Sequence, residues 1–222
     1  ALGLTTPSLA QDKPDVLFIA IDDLNDWVGV LGGHPQTKTP NIDALAARGM
    51  LFTNAHTPAA ACLPARTAIL SGMSPFNSGV YTQLGDWRTN PTFDEISTLP
   101  RYFRENDYLT LGGGKLFHAH TYATAAFGGQ QDVTAWDAYF PSLERQLPDE
   151  VFPPSNPNQQ AAAGNGITTG HFDFAPTITT DDAMGDGQVV NWISQQLLAA
   201  RTGPRFLSAG IFRPHLPWYA PQ

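Results

Sequence analysis

A continuous apolar run, Val16–Ile21, ends abruptly in two aspartates, Asp22 and Asp23. An uninterrupted apolar segment of this length is typical of a strand that is buried on both faces, as in a parallel sheet. In open α/β sheets, ligands bind beyond the carboxyl ends of such strands. The run therefore predicts a central parallel strand with candidate site residues at its end.

Later segments alternate between strand and helix patterns. In the first half of the chain the predicted elements are a helix from Thr39 and Pro40 to Gly49, a short strand Met50–Thr53 and a helix from Pro64 to Gly72. A predicted strand, Tyr108–Leu111, then runs into a tight glycine loop, and long loops are predicted over residues 120–180. The last predicted elements are a helix from Asp181 to Arg201 and a strand Phe206–Phe212. This order predicts an α/β sandwich with a largely parallel central sheet flanked by helices. Lys115 and His215, like the two aspartates, follow predicted strands, so we expect all four side chains to converge.

Composition excludes several classes of function. The 222-residue chain carries a net charge of −8 and no basic run, so we expect no nucleic acid partner. No apolar stretch approaches the roughly 20 residues that span a bilayer. A single cysteine, Cys62, cannot form an intrachain disulfide framework. An acidic protein can still bind an anion where its local charge is positive.

The first eleven residues allow two interpretations. They resemble the tail of a secretory signal peptide, with Ser8-Leu9-Ala10 as a small-x-small cleavage site. They equally fit an ordinary extended arm, because the basic and most of the apolar part of a signal peptide are absent.

The segment Cys62-Leu-Pro64-Ala-Arg66 combines a thiol with a helix start. Pro64 fits the first helical position, which places Cys62 just before the helix and Arg66 in its first turn. The N–H groups of a helix N-terminus and a guanidinium together form a site for a tetrahedral anion. On these residues alone, a buried packing cysteine with a surface arginine is an equally open interpretation.

Cys62-x-Pro64-x-Arg66, followed by Leu70-x-Gly72, resembles the signature of the formylglycine-dependent sulfatases in the alkaline-phosphatase-like superfamily. Other matching segments follow in the family's order: Asp22-Asp23, Thr39-Pro40-Asn41-Ile42-Asp43, Gly114-Lys115-Leu-Phe-His118 and Arg213-Pro214-His215-Leu-Pro217. The last two are most similar to the iduronate-2-sulfatase branch. The resemblance spans residues 14–219 and implies the sulfatase-like α/β sandwich.

The resemblance also implies a modified residue and a metal. A formylglycine-generating enzyme would recognise the unfolded segment and oxidise Cys62. Asp22, Asp23 and the hydrated formylglycine 62 would bind a divalent cation, Ca²⁺ by preference and Mg²⁺ as the alternative, since hard cations favour oxygen ligands. Adjacent strand residues point to opposite faces, so both carboxylates can converge only if the backbone turns there.

Catalytic roles follow from the same resemblance. One hydroxyl of the hydrate attacks sulfur in line while Arg66 and Lys115 hold the sulfate charge. His215 protonates the departing alkoxide, and His118 takes a proton from the second hydroxyl so that sulfate is expelled and the aldehyde regenerated. His120 lies close enough in sequence to leave open which histidine acts.

Two features of the family's metal site are not found in the 222 residues: an Asp followed by Asn, His or Gln, and a second active-site lysine. We therefore expect residues 12–222 to be the N-terminal part of a sulfatase catalytic domain, inactive until a C-terminal chain or segment completes it. The branch resemblance suggests a sulfated carbohydrate as substrate, such as a uronic acid 2-O-sulfate, and a periplasmic or secreted location.

Two competing functions remain. A phosphatase or phosphonate hydrolase of the same superfamily would share the fold, the metal and the anion site. A non-catalytic domain that binds sulfated glycans would keep Cys62 as a thiol. Trp27, Trp87 and Trp136 would offer sugar-stacking surfaces if they were exposed, but core packing is the better explanation for each one taken singly.

Overall fold

The computed structural model describes residues 13–119, 129–150, 174–200 and 202–222. The helices and strands are β1 (Val16–Ile21), α1 (Pro40–Ala46), α2 (Cys62–Ser71), α3 (Pro75–Ser78), α4 (Leu99–Glu105), β2 (Leu109–Gly114), β3 (Ala138–Phe140), β4 (Phe174–Thr177), α5 (Gly185–Leu198), β5 (Arg205–Ile211) and β6 (Trp218–Pro221). Short 3-10 turns lie at Gly29–Leu31, Trp87–Thr89, Pro91–Phe93, Val133–Ala135 and Asp181–Ala183.

The central sheet has the strand order β1-β5-β2-β3, and its strand pairs are parallel. Ile21 of β1 pairs with Ile211 of β5, and Gly114 of β2 pairs with Gly210. The carboxyl ends of these three strands therefore meet at one edge. β4 and β6 form a separate parallel pair. The predicted α/β architecture with a parallel central sheet is confirmed.

Helices and aromatic side chains pack on both faces of the sheet. Val189 and Ile193 of α5 pack with Ala209 on one face. The other face carries the larger core, whose buried members are Leu63, Leu70, Trp87, Phe93, Leu116, Phe117, Ala135, Trp136, Tyr139 and Phe206. Burial of a single side chain of this kind stabilises the fold by about 1.5–3 kcal/mol. Trp87 and Trp136 thus serve core packing, whereas Trp27 is 53% exposed.

Three predicted elements near Cys62 and Lys115 differ from those observed. Met50–Thr53 forms no strand, and Met50 and Phe52 are exposed, because no neighbouring strand pairs with this segment. The helix expected to start at Pro64 begins two residues earlier, at Cys62, with Ala61 as its N-cap. Proline is tolerated there because the first helical N–H groups have no intrahelical partner.

The glycines expected to form a tight loop after Leu111 instead continue β2 as far as Gly114. A Cβ at Gly112 would lie 2.6 Å from the Tyr139 ring, so Gly112 is needed for close packing rather than for a turn.

The second half of the chain also departs from expectation. Residues 120–180 were predicted to be loops, but β3 and β4 lie within them. The predicted helix from Asp181 is a 3-10 turn followed by α5, which starts at Gly185 and ends at Leu198. Several predictions concern positions outside the described residues: the candidate cleavage site in residues 1–11, His120, residues 151–173 and Arg201. Within the described chain, every helix is too short or too polar to cross a membrane.

Candidate active site

Cys62 is the first residue of α2 and lies on a cleft with a volume of about 860 Å³. The same cleft is lined by Asp22, Asp23 and Arg66. Burial raises the pKa of the Cys62 thiol. The nearby charge of Lys115 acts in the opposite direction but does not cancel the effect of burial. Because the thiolate is the nucleophilic form, a raised pKa makes unmodified Cys62 a poor nucleophile.

Asp22 is the centre of a buried charge cluster at the end of β1. Its Oδ1 lies 2.6 Å from Nη2 of Arg66, and its Oδ2 lies 2.5 Å from Nζ of Lys115. Burial disfavours the charged carboxylate, but the two cations outweigh it and lower the pKa of Asp22. Asp22 is therefore ionised at neutral pH.

Arg66 connects α2 to the loop after β2. Its Nη1 donates to the carbonyl oxygens of Lys115 and Leu116, at 2.5 and 2.8 Å, while Nη2 contacts Asp22. The planar guanidinium suits such a multiple contact, which a lysine could not reproduce. The alternative of a surface arginine is excluded, since Arg66 is buried.

Lys115 is fully buried, and its ammonium lies 4.4 Å from the centroid of the Phe212 ring. Burial lowers the pKa of Lys115, while the charge of Asp22 raises it in part. Its backbone N–H donates to Gly210 O at 2.8 Å. Gly114, with φ of 78°, makes the turn into Lys115 in a conformation that favours glycine. The two neighbouring strand ends thus fix where the ammonium lies.

The backbone turns at Asp23, as the sequence argument required. Asp23 has a φ of 54°, and its side chain is 57% exposed, in contrast to buried Asp22. Asp23 Oδ2 lies 3.9 Å from Nε2 of His215. The exposed carboxylate is therefore directed toward the segment after β5.

His215 brings that segment into the cluster. Its Nδ1 lies 2.7 Å from Leu216 O; since a carbonyl only accepts, Nδ1 carries the hydrogen and neutral Nε2 is an acceptor. Burial and then the charge of Lys115 lower the pKa of His215. At neutral pH His215 is thus neutral, and an anion bound beside it favours its protonation.

Asp22, Cys62 and His215 each offer a ligand atom, and these atoms lie within 4.8 Å of one another. His118 is not in this group. It is buried, and its carbonyl oxygen accepts from Gln130 N at 2.9 Å. The predicted convergence is thus observed for Asp22, Lys115 and His215, with Asp23 at the margin.

Two residues of the site carry no recognisable sequence signal. Gln83 lines the cleft, and its Oε1 accepts from Leu63 N at 2.9 Å, next to Cys62. Phe212 contacts Lys115 through its ring. Both contacts join segments that are distant in sequence, so local pattern gives no sign of either.

Comparison with known proteins identifies the family. The Sulfatase family model matches residues 14–222. The chain belongs to the sulfatase family. The family assignment made from the motif around Cys62 is thereby confirmed.

Relatives of this sulfatase family member include both bacterial and human proteins. A sulfatase of Formosa agariphila is 35% identical over 215 residues, which cover 95% of this chain and 41% of the relative. Human iduronate 2-sulfatase is 30% identical over 225 residues, covering 100% of this chain and 39% of its own length. The chain thus spans about two fifths of the length of these relatives.

Solved structures share the fold at lower identity. The phosphonate monoester hydrolase of Agrobacterium radiobacter superposes with a TM-score of 0.60 and 20% identity, covering 95% of this chain and 43% of that chain. A 2-O GAG sulfatase gives 0.58 and 21%, covering 91% and 35%. At these identities the likeness establishes the alkaline-phosphatase-like fold alone.

Proposed function

We propose that this chain is the N-terminal, anion-binding part of a sulfatase that hydrolyses a sulfate monoester through formylglycine made from Cys62. The observation that carries the proposal is the position of Cys62, at the start of α2 and within 4.8 Å of ligand atoms of Asp22 and His215. Arg66 and Lys115 add two buried cations on Asp22. The raised pKa of the thiol disfavours direct attack by sulfur, so oxidation of Cys62 is what gives this position its nucleophile.

The donor set fits a hard cation once Cys62 is oxidised. A thiol is a soft ligand, whereas the hydrated aldehyde offers oxygen beside the carboxylates of Asp22 and Asp23. Ca²⁺, or Mg²⁺, bound there would polarise the sulfate ester and favour the ionised hydrate.

The side chains of the chain itself perform the remaining tasks. Arg66 and Lys115 orient the reacting group and stabilise negative charge on the sulfate oxygens. An anion bound beside His215 favours protonation of its Nε2. As a hydrate oxygen bonds to sulfur and the bond from sulfur to the sugar oxygen breaks, His215 donates this proton to the leaving oxygen. His118 then accepts the proton of the second hydroxyl, the bond from carbon to the sulfated oxygen breaks, and sulfate leaves. The roles of both histidines are proposals.

The modification can be tested by intact mass. Conversion of the cysteine to the aldehyde lowers the mass of the chain by about 18 Da, and Cys62→Ala should abolish both the shift and turnover. Active protein at the unmodified mass would contradict the proposal. Unmodified, inactive protein that still binds sulfated glycans would instead support the binding-domain alternative.

The competing phosphatase or phosphonate hydrolase activity requires a kinetic test. The fold is shared with a phosphonate monoester hydrolase and so does not separate the two chemistries. We expect a higher kcat/KM for an aryl sulfate than for the matching aryl phosphate and phosphonate, measured with one preparation. The reverse preference would refute the sulfatase assignment.

We further propose that a C-terminal chain or segment completes the site. The relatives are more than twice as long as this chain. β1 lies at the edge of the described sheet, and its Leu17 and Ile19 are 44% and 50% exposed. Sulfate release should therefore require the completing segment, and substantial activity of the 222-residue chain alone would contradict this proposal.

A sulfated sugar is the proposed substrate, because one relative is an iduronate 2-sulfatase. Turnover of a panel of defined sulfated oligosaccharides, with uronic acid 2-O-sulfates included, tests this assignment. We also propose a periplasmic or secreted location, which N-terminal sequencing of the mature protein tests: a mature end at Gln11 supports it, and a retained Ala1–Ala10 segment opposes it.

A further inference from the structure

The first turn of α5 carries a carboxylate that holds the backbone just beyond β5. Asp186 Oδ1 accepts from Phe212 N at 2.6 Å, and its Oδ2 accepts from Arg213 N at 2.8 Å. Phe212 directly follows β5, and His215 comes two residues after Arg213. One side chain, with both oxygens engaged, thus sets the direction in which the chain leaves the sheet.

Phe212 transmits this position to the candidate site. The centroid of its ring lies 4.8 Å from that of the His215 ring and 4.4 Å from Nζ of Lys115. Asp186 itself lines a different, small cavity together with Phe212, not the cleft that contains Cys62. Asp186 therefore reaches the site through Phe212, without lining the cleft.

A second contact braces the same segment. Glu150 Oε1 lies 2.8 Å from Nη2 of Arg213, and the backbone N–H of Gly185 also bonds to Glu150. Burial raises the pKa of both Glu150 and Asp186 above the ordinary carboxyl value. An exposed acid in the first turn would interact favourably with the helix dipole without this desolvation cost. The hydrogen bonds that Glu150 and Asp186 accept from backbone N–H groups explain why both carboxylates are buried.

We propose that Asp186 is a positioning residue of the sulfate-transfer site, which orients His215 by fixing Phe212 and Arg213. The proposal rests on the proposed function, in which His215 protonates the leaving oxygen. A misplaced proton donor matters most when the leaving group is a poor one. An alkoxide of a sugar needs that proton, whereas 4-nitrophenolate leaves readily without it.

The test compares Asp186→Asn with wild type in the active enzyme on two substrates, a simple sugar sulfate and 4-nitrophenyl sulfate. We expect kcat for the sugar sulfate to fall roughly a hundredfold, the scale of a displacement of about 1 Å. For 4-nitrophenyl sulfate we expect kcat to stay within about threefold, because acid catalysis contributes little there. Asp182→Asn, an exposed acid just before α5, removes the same charge and should change neither rate.

A double variant with His215→Ala identifies the route of the effect. If Asp186 acts through His215, adding Asp186→Asn to His215→Ala should lower kcat for the sugar sulfate little further. Should Asp186→Asn fail to fold, Asp186→Glu gives the same comparison by moving the carboxylate one methylene farther.

Four results would overturn the assignment. Equal losses on both esters would indicate a merely structural role, and additive losses in the double variant would exclude action through His215. A wild-type enzyme that turns over neither ester would refute both the proposed function and this assignment. If the wild type turns over both esters and Asp186→Asn has the wild-type kcat on each, only the assignment of Asp186 is refuted.

Discussion

Nζ of Lys115 lies 2.5 Å from Oδ2 of Asp22, and both side chains are buried. Taking both charges out of water costs several kcal/mol per ion, which their attraction and that of Arg66 must offset. Such a cluster contributes little net stability compared with apolar packing. Its value at this position is the fixed charge that it presents beside Cys62.

Lys115→Met tests the dependence of Asp22 on its partner. The change keeps the side-chain volume but leaves the buried carboxylate with Arg66 alone, so we expect the free energy of unfolding to fall by about 3 kcal/mol. Urea denaturation at pH 7 measures it, and adding Asp22→Asn should recover part of the loss. Lys13→Met, which breaks a surface pair at 3.6 Å with Asp107, should cost less than about 1 kcal/mol. Equal effects of the two lysine changes would contradict the prediction.

Gly210→Ala tests how closely the strand ends must approach. A Cβ at this position would lie 2.2 Å from the backbone carbon of Lys115, so backbone must move. We expect a loss of about 3 kcal/mol or more, together with lower activity because Lys115 is displaced. Gly203→Ala is the matched control, since a Cβ there meets nothing within 4 Å. Thermal unfolding that fails to distinguish the two variants would refute this explanation.

Asp132→Asn should destabilise the protein in a pH-dependent way. Burial disfavours the Asp132 carboxylate, but bonds from Arg101, Thr134 and Thr98 outweigh it and lower its pKa. A lowered folded-state pKa gives stability that is present above the unfolded value of about 3.9 and lost as the pH falls through the folded one. The difference in unfolding free energy from wild type should therefore be constant from pH 7 to about 5 and shrink below about pH 4. Exposed Asp94→Asn is the control, and a difference that persists undiminished at the lowest pH would contradict the prediction.

Calcium binding can be followed without any assay of turnover. At 100 times its dissociation constant, a ligand specific for the folded state adds about 2.7 kcal/mol of stability, which raises Tm. We expect Ca²⁺ to raise the Tm of the oxidised protein and EDTA to reverse this effect. Asp22→Asn and Asp23→Asn should each reduce the shift, while Asp26→Asn, an exposed acid on the same loop, should not. A shift unchanged in both variants would exclude Asp22 and Asp23 as ligands.

Local pattern was sufficient to predict the strands that carry the site. The apolar run of β1 located Asp22, and the shared edge of parallel strands predicted that Lys115 and His215 would approach it. These inferences succeeded because they depend on the periodicity of a strand and on the geometry of a parallel sheet. A run of six or seven residues is enough to indicate such a strand.

Contacts between distant segments could not be predicted in this way. Gly112 packs against the rings of Trp136 and Tyr139, and Gly113 pairs with Phe140 of β3. A run of glycines gives no local sign of either contact. Gln83 and Asp186 act on backbone groups 20 and 26 residues away. Polar side chains of this kind look like surface residues until the fold places a backbone N–H opposite them.

The pairing of β1 with β5 has a consequence for synthesis on the ribosome. Val16 pairs with Phe206, and Arg66 of α2 is held by carbonyls of Lys115 and Leu116, so these contacts wait for much later parts of the chain. At about 5–20 residues per second, the stretch from Cys62 to Ile211 takes on the order of ten seconds to emerge. If Cys62 is oxidised as proposed, by an enzyme that acts on unfolded chain, late closure of the sheet leaves Cys62 accessible to that enzyme for this period.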